Sequence, residues 1–93
     1  MYCPKINYCF SMDDIKKLNQ EIRIIAENYE IDNGWFHENE CRQFIDEQGN
    51  AFTIDILGRF SQRFEPDYEL HYVRLKKDGI SFEFDVELFS EHI

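Results

Sequence analysis

Few residues in this chain are able to do chemistry. Cysteine occurs at positions 3, 9 and 41 and histidine at 37, 71 and 92. His37 and Cys41 stand four residues apart, a spacing that on a helix would make neighbours of an imidazole and a thiol and permit a Cys–His nucleophilic pair. On a strand the same Cα atoms lie about 13 Å apart, at ~3.3 Å per residue, and the pair is lost. Cys3, Cys9, Cys41 and His37 could together ligate a metal. Structural zinc sites, however, draw their ligands in close pairs, and Cys3 and Cys9 are six apart. The odd cysteine count and the absence of a CxxC pair argue against a disulfide framework. Three reduced thiols in a cytoplasmic setting are therefore expected. There is no GxSxG, no phosphate-binding glycine loop and no HExxH. Neither a catalytic residue, a metal ligand nor a cofactor is assigned from these residues, and an enzyme is not expected.

The carboxylates are more informative because they cluster. Residues 27–47 hold Glu27, Glu30, Asp32, Glu38, Glu40, Asp46 and Glu47 against Arg42 alone, and residues 78–93 hold five acids and no base. Glu83, Asp85 and Glu87 alternate with apolar residues, so on a strand they share one face with about 7 Å between successive carboxylates. That repeat approaches the ~7 Å between phosphates along one nucleic-acid strand. The same row would also serve as a solvated face that keeps a small protein in solution.

The elements that must position these residues follow from periodicity. Ser11 and Asp14 form a variant capping box, Asp13 and Asp14 complement the helix dipole, and Ile15, Leu18, Ile22, Ile25, Ala26 and Tyr29 recur at helical spacing. A helix is predicted over residues 12–30, stopped by Asn33-Gly34. From residue 80 to 88 the period is two, with Ile80, Phe82, Phe84, Val86 and Leu88 inward. Asp78-Gly79 joins this strand to Leu70–Lys76 as a hairpin that opposes Leu75 to Phe82 and Val73 to Phe84, and Arg74 to Glu83 on the outside. The same parity places His71 inward, at the margin of the core.

Upstream, Glu47-Gln48-Gly49-Asn50 separates Cys41–Asp46 from Ala51–Leu57, and a four-residue turn would oppose Ile45 to Phe52 and Arg42 to Asp55. A helix over 38–48 competes with that strand, but the turn residues favour the hairpin. Gly58-Arg59 is expected to mark a bulge or bend, and Lys5 to Phe10 to add a short strand. The predicted architecture is one α+β domain over residues 1–93, with a single helix on a four-stranded antiparallel meander.

At 93 residues, 43% hydrophobic, 16% aromatic and net charge −9, the chain can bury a core and carries strong negative charge. Counterion release rewards the opposite sign, so neither direct nucleic-acid binding nor an anionic membrane is expected. No apolar run reaches the ~18 residues of a spanning helix. A binder is expected: a small inhibitor of a basic protein, with an immunity protein against a nuclease toxin as its concrete form. Its expected contacts are Glu83, Asp85, Glu87, Glu38, Glu40, Asp46 and Glu47, with Tyr72 and Trp35 as aromatic anchors, although the first reading of Trp35, just after the helix stop, is a plug of the core. In size and charge the chain also resembles phage-encoded inhibitors of bacterial defence, including anti-CRISPR proteins. That likeness would make the partner a nucleic-acid-binding effector. A small-molecule or metal-binding domain is the reading from another class.

Overall fold

The computed structural model describes residues 2–5, 8–28, 34–60 and 68–89; the side chains of residues 2, 4, 5 and 38–41 lie outside that description. In chain order the elements are β1 (Tyr2–Lys5), β2 (Tyr8–Phe10), α1 (Met12–Asn28), β3 (Trp35–Ile45), β4 (Ala51–Phe60), β5 (Tyr68–Lys77), β6 (Ile80–Phe84) and a 3₁₀ turn, η1 (Val86–Phe89). Strands β3 to β6 form an antiparallel meander in sequence order, and β1 pairs with β2 in a separate hairpin. One helix packed on an antiparallel sheet is the α+β architecture expected from the patterning.

The helix begins as its capping residues require. The Asp14 amide donates to Ser11 Oγ at 3.1 Å, Asp14 Oδ2 accepts from the Ser11 amide at 3.2 Å, and the Ile15 amide donates to the Ser11 carbonyl at 3.0 Å. Asp14 does more. Its Oδ1 accepts from the Glu47 amide at 3.0 Å, which ties the start of α1 to the turn between β3 and β4. Ile15, Leu18, Ile22, Ile25 and Ala26 are buried against Phe36, Phe44, Phe52, Ile54, Ile56, Val73, Leu75, Phe82 and Phe84 from the sheet. The helix ends at Asn28; Tyr29, Asn33 and the connection Glu65-Pro66-Asp67 fall outside the described residues.

The β5–β6 hairpin has the expected register: Leu75 faces Phe82, Val73 faces Phe84, and Arg74 faces Glu83. Both turn residues take positive φ, 52° at Asp78 and 77° at Gly79, as a two-residue hairpin loop demands. The expected continuation of β6 to residue 88 is not made. The strand ends at Phe84, because Asp85 bonds back into its own chain: Oδ1 accepts from the Glu87 amide at 3.2 Å and the carbonyl accepts from the Leu88 amide at 3.1 Å. The resulting 3₁₀ turn sends Phe89 into the core and leaves Leu88 at its margin.

Strand β3 is a strand and not the competing helix, but its register differs by one from the expected pairing. Ile45 faces Ala51 and Phe44 faces Phe52. The cause is Asp46. Buried to 5% exposure, it accepts from the Gln48 amide at 3.0 Å and the Asn50 amide at 2.8 Å, while its own amide donates to the Asn50 carbonyl at 3.0 Å. That makes the connection five residues long. The shift places Phe44 in the core and leaves Ile45 53% exposed. Farther along, residues 40–42 of β3 oppose only Ile54, so Asp55 faces Asn39 and not Arg42.

Cys3 and Cys9, expected as free thiols, are joined by a disulfide with Cα atoms 4.1 Å apart. Lys5–Phe10, expected as one strand, is part of a hairpin in which Tyr2 faces Phe10. The six-residue separation spans that hairpin and brings the two cysteines opposite each other. No helix among the described residues is long and apolar enough to cross a membrane.

Gly58 faces Phe36, and a Cβ placed at Gly58 would come within 2.2 Å of the Phe36 ring. Gly58→Ala should therefore destabilise the fold by roughly 1–3 kcal/mol through overpacking, and Phe36→Leu in the same chain should recover part of the loss in urea titrations. Removing the disulfide frees a short loop worth about 2 kcal/mol in chain entropy. Unfolding midpoints should accordingly drop with reductant and in Cys3→Ser, and the variant should no longer respond to reductant.

Candidate functional site

The sheet has two faces of opposite character, and the one turned away from the helix carries the candidate site. Cross-strand register assembles it in ranks. Trp35 lies opposite Arg59, which lies opposite Glu69; His37, Leu57 and Tyr72 form the next rank. Asp55, Arg74 and Glu83 form another, and Gln43, Thr53, Lys76 and Ser81 the last. Side chains directly opposite on an antiparallel pair are near neighbours, so each rank is a row of adjacent side chains.

Asp55 organises the middle of this face. It is 7% exposed, with Lys76 Nζ at 3.6 Å and Arg74 Nη1 at 3.8 Å from Oδ2, and the Tyr72 hydroxyl donates to Oδ1 at 3.4 Å. Arg74 lies over the Tyr72 ring at 4.0 Å from its centroid and donates from Nε to Glu83 Oε1 at 2.8 Å. The bond to Glu83 holds the Arg74 guanidinium above its usual value, so it stays charged. A buried carboxylate is tolerable here because two cations and a hydroxyl converge on it.

The end of the face near the start of β3 is aromatic. Trp35 is 42% exposed, with Arg59 5.6 Å and the His71 ring 5.2 Å from its ring centroid. His71 was expected inward. It is instead 43% exposed and 3.9 Å from Glu69. The reason is a β-bulge: Leu57 pairs with Tyr72 and Gly58 with Leu70, so His71 is the extra residue and inside–outside parity changes across it. Tyr68 and Leu70 therefore pack on the core, while Val73 and Leu75 keep their inward places farther along. Gly58 signalled this irregularity, although the extra residue belongs to the facing strand.

The expected contacts separate into groups. Tyr72 and Glu83 share the outer face, and Trp35 stands at one end of it. Asp85 and Glu87 are exposed but lie beyond the end of β6, so the carboxylate row of Glu83, Asp85 and Glu87 on one strand does not form. Asp46 is committed to its turn, and Glu47 is exposed in the same turn. Glu38 and Glu40 belong to β3, but their side chains lie outside the description. The metal set is broken, because Cys3 and Cys9 are spent on each other. His37 and Cys41 sit on one strand and not on one helix face. Sequence reasoning passed over Arg59 and Leu57, which join the face through the β3–β4 and β4–β5 registers.

No protein-family model matches the chain, and neither a curated protein nor a solved structure gives a significant match to it.

Asp55→Ala should cost roughly 1–2 kcal/mol, because it leaves Arg74 and Lys76 facing each other across a half-exposed site. Asp55→Asn should cost less, since it keeps an acceptor for Tyr72. Raising the salt concentration should narrow the gap between wild type and Asp55→Ala in urea titrations.

Proposed function

We propose that this chain is a small inhibitor that binds a basic partner protein and blocks it, as an immunity protein does to a nuclease toxin. The observation that carries the reading is a sheet face turned away from the core that presents Trp35, Tyr72 and Leu57 among ordered charges, on a chain of net −9. Trp and Tyr are the residues that most often anchor protein interfaces, and here an arginine lies over each ring, Arg59 at Trp35 and Arg74 at Tyr72. The exposed carboxylates Glu83, Asp85 and Glu87 supply long-range attraction to a basic surface without having to form one row. On this reading the protein is a binder and not a catalyst, with neither nucleic acid nor a membrane as direct partner. A cytoplasmic place belongs to the same proposal and rests on the role alone, since the Cys3–Cys9 bridge removes the argument from reduced thiols.

The test is stoichiometric inhibition of basic nuclease domains. One equivalent of this protein should silence a cognate nuclease, with association slowing as salt rises. Trp35→Ala should weaken binding by about 30-fold or more, corresponding to at least ~2 kcal/mol at an interface hot spot. Reversing Glu83, Asp85 and Glu87 to lysine should mainly slow association at low salt. Full inhibition by both variants at every salt concentration would overturn the proposal.

A further inference from the structure

The β4–β5 ladder stops short at one end of the sheet. Thr53 facing Lys76 is its last pair, although β4 begins at Ala51 and β5 runs on to Lys77. Beyond that point Ala51 pairs only toward β3, with Ile45, and Lys77 only toward β6, with Ile80. The two hairpin tips therefore diverge as a fork. Between them lies a half-open cleft of about 590 Å³, lined among others by Gln43, Thr53, Lys76, Lys77, Ile80 and Ser81 and, on the acidic side, by Asp78.

We propose that this fork binds a small organic anion: a compact carboxylate or phosphate head on an apolar body. Volume and lining both suit such a ligand, since small-molecule sites fall at roughly 300–1,000 Å³ and combine apolar walls with a few convergent polar groups. The Lys77 ammonium and the Gln43 amide provide donors for the head, and the Ser81 hydroxyl can donate or accept, whereas the Thr53 hydroxyl already donates to the Lys76 carbonyl at 3.4 Å. Ile80, 48% exposed, and the lysine stems form the apolar wall. Lys77 can turn to a ligand at small cost. Lys77 meets Asp78 at 3.9 Å in an exposed pair of the kind that contributes little. Lys76 stays on Asp55 at 3.6 Å, so its charge acts on the fork from the outer face. Successive residues of a strand direct their main-chain groups to opposite sides, so either Ala51 or Phe52 points its pair into the fork, beyond the last β5 residue in register. In a chain of net −9, an anion would be recognised at this place by geometry against the general field.

The experiment is amide chemical-shift titration of the full chain with benzoate and, separately, phenyl phosphate at constant ionic strength. Saturable shifts confined to residues 43, 51–53 and 76–81 are expected. Benzoate alone, phenyl phosphate alone, or both in turn would assign the head as carboxylate, phosphate or either. Lys76→Gln with Lys77→Gln should weaken binding at least tenfold. Should that variant lose its dispersed spectrum, Ser81→Tyr fills the fork from its wall and should block binding while retaining the fold. No saturable shift with either probe, shifts scattered over the sheet, or unchanged binding in a folded variant would overturn the site.

Discussion

The carboxylate of Asp14 is the joint on which the layers of this protein are hung. One oxygen closes the helix cap on Ser11, and the other holds the Glu47 amide 33 residues later. A helix and a sheet that pack only through apolar surface are free to slide, because that attraction has no direction. A carboxylate shared between a cap and a turn has direction. It fixes which end of α1 meets which end of β3. Farther along the helix Arg42 pairs with Glu21, and Lys17 donates to the Ile45 carbonyl at 3.2 Å, so polar contacts continue along the α1–β3 seam.

Once one face is covered, the other must solve a different problem. It cannot be apolar without inviting aggregation, and a wholly acidic face would repel itself. The solution is alternation of charge across the strands, with Asp55 between Lys76 and Arg74, and Arg74 between Asp55 and Glu83. Tyr72 stacks on this chain of charges, and Trp35 stands at its end. The local balance contrasts with the overall excess of acid. The outer face thus carries charges of both signs in ordered pairs.

Elements with strong local rules were legible in the sequence. The helix was readable from Ser11, Asp14 and its apolar stripe, and the β5–β6 register from Asp78-Gly79 with strict alternation on both sides. What escaped depended on a side chain choosing a main-chain partner. Asp46 lengthened one turn by a residue, and Asp85 ended one strand early. Short polar side chains compete with ladders in this way, and alternation alone carries no mark of it. The cysteine bridge was hidden for another reason. Counting and spacing weigh against a disulfide, but a short hairpin makes a six-residue separation a direct opposition. Of the candidate face, Tyr72 was legible as an outward residue from strand parity, Trp35 is too exposed for the core plug its place after the helix suggested, and Arg59 and Leu57 needed the register.

The bulge at His71 changes how this strand can vary over time. Because the imidazole points to solvent, many residue types could replace it without disturbing the interior. Losing the position altogether is another matter. Deletion would restore unbroken alternation through β5 and, by the same stroke, turn either Tyr68 and Leu70 or Val73 and Leu75 out of the core. Position 71 is thus open in identity and closed in number. A lineage can rewrite that letter freely but cannot drop it, since the strand on either side is spelled in a different reading frame.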